Sequence, residues 1–200
     1  MYVSTVSEHL KARLVQHYRW LRNHGLNDSH SGNASVRIGE DIWITPTNAC
    51  ADSLIEQQLI KCHLGKPPTK GASSDSLLHL NVYKKNPRAN AVLHAHGAYS
   101  VAITMDGKDF YPIDFEGQYY FGEKITVLSV PYRDQFTQAH ELAAEILAEN
   151  PIVIVRGHGV YAQAESLQMA YKWLNSLELS AKTTFLARQH GFKDDPASLV

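Results

Sequence analysis

Residues 151–159 read PIVIVRGHG, and this run decides the fold. Four β-branched residues, Ile152 to Val155, follow Pro151 and stop at Arg-Gly-His-Gly. A continuous apolar run of that length, bounded by turn residues, suits a strand buried on both faces near the centre of a sheet. Such a strand needs covering layers, and the chain supplies helices on either side of it. Upstream, a helix capped by Thr137 runs to about Ala148 and is ended by Asn150-Pro151. Downstream, the longest helix runs from about Glu165 to His190. Leu167, Ala170, Leu174, Leu177, Ala181 and Phe185 lie near one stripe of it, and Gly191 stops it.

The rest of the chain repeats the alternation. A first helix is expected from about Val6 to His24, with Thr5 and Glu8 as a capping box and Gly25 just past the end. SGNASVRI (31–38) and DIWIT (41–45) read as two strands meeting at a Gly39-Glu40 turn, and Pro46 closes the second. A polar loop, GKPPTKGASS (65–74), leads to a helix from about Ser74 to Lys85, with Ser73 or Ser74 as its cap. NAVLHAH (90–96) is a strand, AYSVAITM (98–105) a short helix, and ITVLSV (125–130) a further strand. Strands alternate with helices, while the hairpin calls for a partly antiparallel sheet. The class is therefore α/β or α+β in three layers.

The 200 residues suit one domain, 1–200, with 44% hydrophobic and 20% charged residues, enough for a substantial core. Nineteen Lys+Arg against twenty Asp+Glu leave a net charge of −1, which argues against a nucleic-acid partner. No stretch reaches the roughly 18 apolar residues of a membrane helix, so no membrane partner is expected. Charges interrupt MYVSTVSEHLKARL where an export signal would be apolar. Two cysteines, Cys50 and Cys62, make no disulfide framework. The expected compartment is the cytoplasm.

Eleven histidines are the unusual number. His94 and His96 lie two apart on a strand, so their side chains share a face about 6.6–7 Å apart along the backbone. His158 sits at the end of another strand between Gly157 and Gly159, which remove side-chain bulk and allow close approach. Three imidazoles with an open fourth position are a catalytic zinc arrangement. By contrast, His9, His17, His24, His30, His63, His140 and His190 fall on helices or loops without convergent partners.

Asp75 stands at the start of a helix. It is either a carboxylate favoured there by the helix dipole or a group facing the metal that shuttles a proton. Ser73 and Ser74, with free backbone N–H groups at the same helix start, would cradle a phosphate. Asn33, Thr47 and Asn48 add neutral donors at loop positions, so a phosphate site needs no basic excess.

In order along the chain, SGNASVR (31–37), ITPTN (44–48), GASSD (71–75), NAVLHAHGAYSVA (90–102), PIDFEG (112–117) and VRGHGVYA (155–162) resemble the class II aldolase/adducin family. The resemblance implies a three-layer α/β/α fold around a mixed, mostly antiparallel sheet. It implies one Zn²⁺ or other divalent ion per subunit on His94, His96 and His158. Substrate phosphate would lie on Asn33, Thr47, Asn48, Ser73 and Ser74, with Asp75 as an acid/base that can also touch the metal. The implied reaction is cleavage of a small, fuculose-1-phosphate-like phosphorylated ketose to dihydroxyacetone phosphate and an aldehyde, through an enediolate.

The family offers alternatives: a ketopentose-phosphate 4-epimerase, which the short Asp75 resembles, or a methylthioribulose-1-phosphate dehydratase, which would use Glu116 as acid/base. A non-catalytic module like the adducin head is the reading from another class. The usual assembly implied is a homotetramer with interfacial active sites and a tyrosine from the neighbouring chain, for which Tyr119 and Tyr120 are the nearby candidates. Thr47-Asn48 replaces the family's usual Ser-Gly or Thr-Gly, and asparagine tolerates the left-handed backbone that glycine would supply.

Overall fold

The structure is a computed structural model that describes residues 2–192. Seven strands form one sheet: β1 (Asn33–Ile38), β2 (Asp41–Ile44), β3 (Ile60–His63), β4 (Ala91–Ala95), β5 (Val127–Leu128), β6 (Ile152–Val155) and β7 (Gly159–Ala164). Their order is β3-β2-β1-β4-β7-β6-β5. Every neighbouring pair is antiparallel except β5 and β6. Six helices cover it: α1 (Tyr2–Asn23), α2 (Ser76–Lys85), α3 (Ala98–Ile103), α4 (Phe115–Phe121), α5 (Gln138–Glu149) and α6 (Leu167–Gln189). The three-layer, mostly antiparallel α/β architecture is thus the one the family resemblance implies.

Strand alternation assigns the two faces. Ala91, Leu93 and Ala95 of β4 point into a core shared with Leu14, Tyr18 and Leu21 of α1 and Leu174, Leu177 and Ala181 of α6. Val92 points the other way, into a second core with Leu78 and Val82 of α2 and Ala143, Ala144 and Leu147 of α5. Strand β6 divides in the same manner, Ile152 and Ile154 to one core and Val153 and Val155 to the other. Two covered faces explain its unbroken apolar run.

Several expectations are corrected. The apolar run is not the sheet's centre: β4 and β7 lie between it and β1, and the two-residue β5 flanks it. Strand β7 is new, because RGHG is not a strand end but a tight turn that reverses the chain. His158 N–H donates to Val155 O at 3.0 Å across that turn. Gly157 occupies its left-handed position at φ 67°, which a residue with a Cβ adopts only at a cost. Strand β3 is likewise additional. Helix α1 begins at Tyr2, so Thr5 lies within the helix and is not its cap. Helix α2 begins at Ser76, two residues later than expected.

Helix α2 is pinned to the sheet by polar contacts as well as apolar ones. Ser35 Oγ of β1 lies 2.7 Å from His79 Nδ1 and 2.7 Å from Tyr83 OH, all buried. That anchorage fixes the first turn of α2, and with it Asp75, above the end of β4.

Candidate metal centre

His94 lies on β4, His96 one residue past its end, and His158 in the β6–β7 turn. One ligand atom from each lies within 4.8 Å of the others. His94 Nε2 stands 2.8 Å from His96 Nε2 and 3.3 Å from His158 Nε2. His94 Nδ1 donates to Val160 O at 3.0 Å, which fixes the tautomer and turns the Nε2 lone pair toward the other rings. Burial pushes all three pKa values down, His96 to about 4, so the rings are neutral at pH 7 and competent as ligands. Converging lone pairs on three neutral imidazoles suit a divalent cation, and three protein ligands leave a position open.

The backbone around the cluster is set by close approach. A Cβ on Gly159 would stand 2.6 Å from His96 Cδ2 and 2.9 Å from His94 Cε1, and closer still to Ala95 O. Only glycine fits there. Asn27 braces the strand end from the other side, with Oδ1 accepting from His96 N at 2.9 Å. Gly159→Ala should therefore displace two of the three imidazoles. We expect a loss of about 1–3 kcal/mol of stability from overpacking together with lost zinc binding, read by chemical unfolding and metal analysis. A Gly159→Ala protein that binds zinc normally would contradict this geometry.

Asp75 precedes α2 but does not cap it with its side chain. The carboxylate is 2% exposed and turns into the cluster. Asn33 Nδ2 donates to Oδ2 at 2.7 Å and Tyr161 OH donates to it at 2.9 Å. His140 Nε2 stands 3.2 Å from Oδ1, and His94 Nε2 is 3.8 Å from Oδ2. Burial alone would raise this carboxyl's pKa. The His140 bond, the field of His94 and the Asn33 bond outweigh it and hold the group well below the usual carboxylate range. Asp75 is ionised, and its carboxylate lies beside His94 and does not cap α2.

Strand register explains the convergence. Asn33 pairs with His94 across β1–β4, and His94 with Tyr161 across β4–β7. The three residues form a row across the sheet's centre, and the Tyr161 ring stacks on His94 at 3.8 Å with planes 5° apart.

Asn33, Thr47, Asn48, Ser73, Ser74, Asp75 and the three histidines all line one cleft of ≈ 190 Å³. A larger cavity of ≈ 460 Å³ lies along Leu10, Arg13, Arg37 and Glu165 and touches none of them. Donor chemistry, not size, locates the site. Within the cleft several expected phosphate donors are already engaged. Ser73 N–H donates to Thr45 O, so it is not free as expected, and Thr47 N–H donates to Gly71 O. Thr47 Oγ1 donates to Ala72 O at 2.8 Å. Asn48 and Ser74 keep uncommitted N–H groups. Asn48 adopts φ 57°, the left-handed conformation expected of it.

Other expected residues lie elsewhere. Glu116 is exposed on α4 and does not line the cleft. Tyr119 and Tyr120 share that helix, Tyr119 stacking on Phe115 and Tyr120 meeting Trp173 edge-on. Conversely, His140 is not the partnerless helix residue expected: it is buried against Asp75. Tyr161 joins the site without being singled out by sequence reasoning, although its place three residues after His158 on an apolar strand is the available signal.

A family model described as the class II aldolase and adducin N-terminal domain matches residues 12–185. The chain belongs to the class II aldolase and adducin family. Among curated relatives, it is 30% identical over 158 residues to the L-fuculose phosphate aldolase of Methanocaldococcus jannaschii, covering 78% of this chain and 84% of that one. It is also 30% identical over 168 residues to the 3-oxo-tetronate 4-phosphate decarboxylase of Escherichia coli K12, covering 81% and 79%. Among solved structures, L-fuculose-1-phosphate aldolase from Thermus thermophilus superposes with a TM-score of 0.84 at 31% identity, covering 93% of this chain and 98% of that one. Class II aldolases are metal-dependent, and among the described residues the histidine cluster is the donor set that fits a metal. No described helix is long and apolar enough to cross a membrane.

Proposed function

We propose that the protein is a zinc-dependent aldolase that cleaves a small phosphorylated ketose to dihydroxyacetone phosphate and an aldehyde. The observation that carries this reading is the shared cleft, where three converging imidazoles, an ionised Asp75 and neutral phosphate donors face one another. A bound divalent ion supplies Lewis-acid polarisation of the substrate's oxygens, and His94, His96 and His158 would hold it. Asn48 and Ser74 bind the phosphate through their free N–H groups, and the Asn33, Thr47 and Ser73 side chains shape that end of the cleft. Asp75 moves the proton at the carbon left behind when the carbon–carbon bond breaks.

The cleft of ≈ 190 Å³ shares Phe136 and His158 with a neighbouring cavity of ≈ 410 Å³. The assembly that goes with this reading is a homotetramer whose active sites lie between subunits. Phe115 and Tyr119, 76% and 75% exposed and stacked at 5.9 Å, fit such an interface. Retention of a three-histidine set with an open position weighs against a purely structural, adducin-like role.

The decarboxylase relative, equally 30% identical, supports a second reading in which the broken bond releases carbon dioxide. A panel of ketose and keto-acid phosphates with product identification tests both. Dihydroxyacetone phosphate plus an aldehyde is the expected result. Carbon dioxide, an epimer or a dehydrated ketone would each replace the aldolase by another reaction.

A further inference from the structure

The three histidines are held in different ways, and His96 is the one that the sheet does not fix. His94 is paired on both sides of β4, with Asn33 and with Tyr161. His158 stands in the tight turn closed by its own N–H. His96 lies one residue beyond Ala95, the last paired residue of β4. Its N–H donates to Leu26 O and to Asn27 Oδ1, each at 2.9 Å. Those bonds fix the chain as far as His96 and no further.

Beyond His96 the chain is held from α6. Glu178 Oε1 accepts from Tyr99 N at 2.8 Å, and Oε2 accepts from Ser100 N at 3.0 Å. Both donors lie in the first turn of α3, where no carbonyl of the helix can serve them and a negative charge is favoured. Ser100 Oγ donates back to Gly97 O at 3.0 Å, so the held turn is tied to the residue directly after His96. Gly97 passes so close to the carboxylate that a Cβ there would collide with Glu178 Oε2. Further along α6, Lys182 Nζ lies 5.4 Å from the Tyr99 ring centre, and Phe185 meets that ring edge-on at 5.6 Å. Those two grip a side chain. Glu178 grips the backbone.

We propose that Glu178 is a positioning residue that sets the His96 imidazole for the metal. The segment carrying His96 is then clasped at both ends, by Asn27 before it and by Glu178 after it. The inference rests on the reading of the three histidines as a metal centre. It gives α6, whose apolar stripe marks it as a core helix, a part in building that centre.

The test is a zinc titration without substrate, by competition with a chromophoric chelator. It compares the full chain with Glu178→Ala, Glu178→Gln and Lys182→Ala. Glu178→Ala should bind zinc about tenfold more weakly, the scale on which groups behind a ligand set metal affinity. Glu178→Gln keeps one acceptor oxygen and should fall between that variant and the parent. Lys182→Ala removes a contact to α3 from the same helix and should stay near the parent value. Lost stability alone would lower the unfolding midpoint of the metal-free protein and leave the affinity of its folded form unmoved. Should Glu178→Ala not fold, Glu178→Gln carries the prediction at smaller size. Zinc affinity unchanged in both Glu178 variants, or an equal loss in Lys182→Ala, overturns the role of Glu178 alone. A parent protein that binds no zinc overturns the metal centre itself.

Discussion

His94→Ala should leave the protein with little bound zinc and lower kcat by about 10³-fold or more, the several kcal/mol that a Lewis acid contributes. His94 is the residue through which the cluster is joined. Its Nε2 faces both other histidines, its Nδ1 is fixed by Val160 O, and its ring is clamped against Tyr161. Alanine removes a ligand and a well-packed ring, leaving two imidazoles that lack a common brace. Strong chelation of the unmodified protein should reproduce the loss of activity, and added Zn²⁺ should reverse it. In His94→Ala the same addition should restore nothing. Metal analysis after gel filtration, alongside turnover, is the measurement. A His94→Ala protein with stoichiometric zinc and full activity would remove the basis for the metal centre.

The parts legible in the sequence are those with local causes. The β1–β2 hairpin follows from a Gly39-Glu40 turn between alternating strands, and α6 from a long periodic stripe ended by Gly191. His94 and His96 can be paired because strand geometry puts residues two apart on one face. The misread features depend on partners distant in sequence. The glycines around His158 signal close approach, but not that the chain reverses there and returns as β7. Strand β3, IKCH, is four residues with alternate exposed Lys61 and His63, too short and polar to stand out. His140 acquires its partner, Asp75, only when α5 packs on α2, and no spacing along the chain announces that pairing. A motif suggests Glu116, and the fold puts it on the exposed side of α4.

The row Asn33–His94–Tyr161 shows why this fold can hold such a site with precision. Strand pairing, not flexible loops, sets the spacing of the three side chains, and both covering layers lock the strands. The proposed phosphate end is built differently. There the backbone N–H groups of Thr47 and Ser73 and the Thr47 hydroxyl hold the loop shape, while Asn48 and Ser74 line the cleft without such bonds from their N–H groups. On the proposed function, neutral donors held in place would let a chain of net charge −1 take a phosphorylated ligand.

Asp75→Asn is the variant that bears most directly on the reaction. The substitution keeps shape but removes the charge and one acceptor, and presents an N–H₂ to three donors, Asn33 Nδ2, Tyr161 OH and His140 Nε2. At least one of these loses its acceptor, at about 1–3 kcal/mol of stability. Zinc binding should persist, while kcat falls about 10³-fold, within the usual range for a positioned acid/base. The stability difference should also depend on pH. The Asp75 pKa lies well below its unfolded value, so its contribution is present above about pH 4 and is lost as pH falls further. The gap in unfolding free energy between metal-free parent and metal-free variant should narrow below that pH. Glu116→Gln supplies the contrast, because this carboxylate is exposed and outside the cleft. If Glu116→Gln abolished turnover and Asp75→Asn did not, the acid/base would come from α4, and elimination of water would replace carbon–carbon cleavage as the reaction.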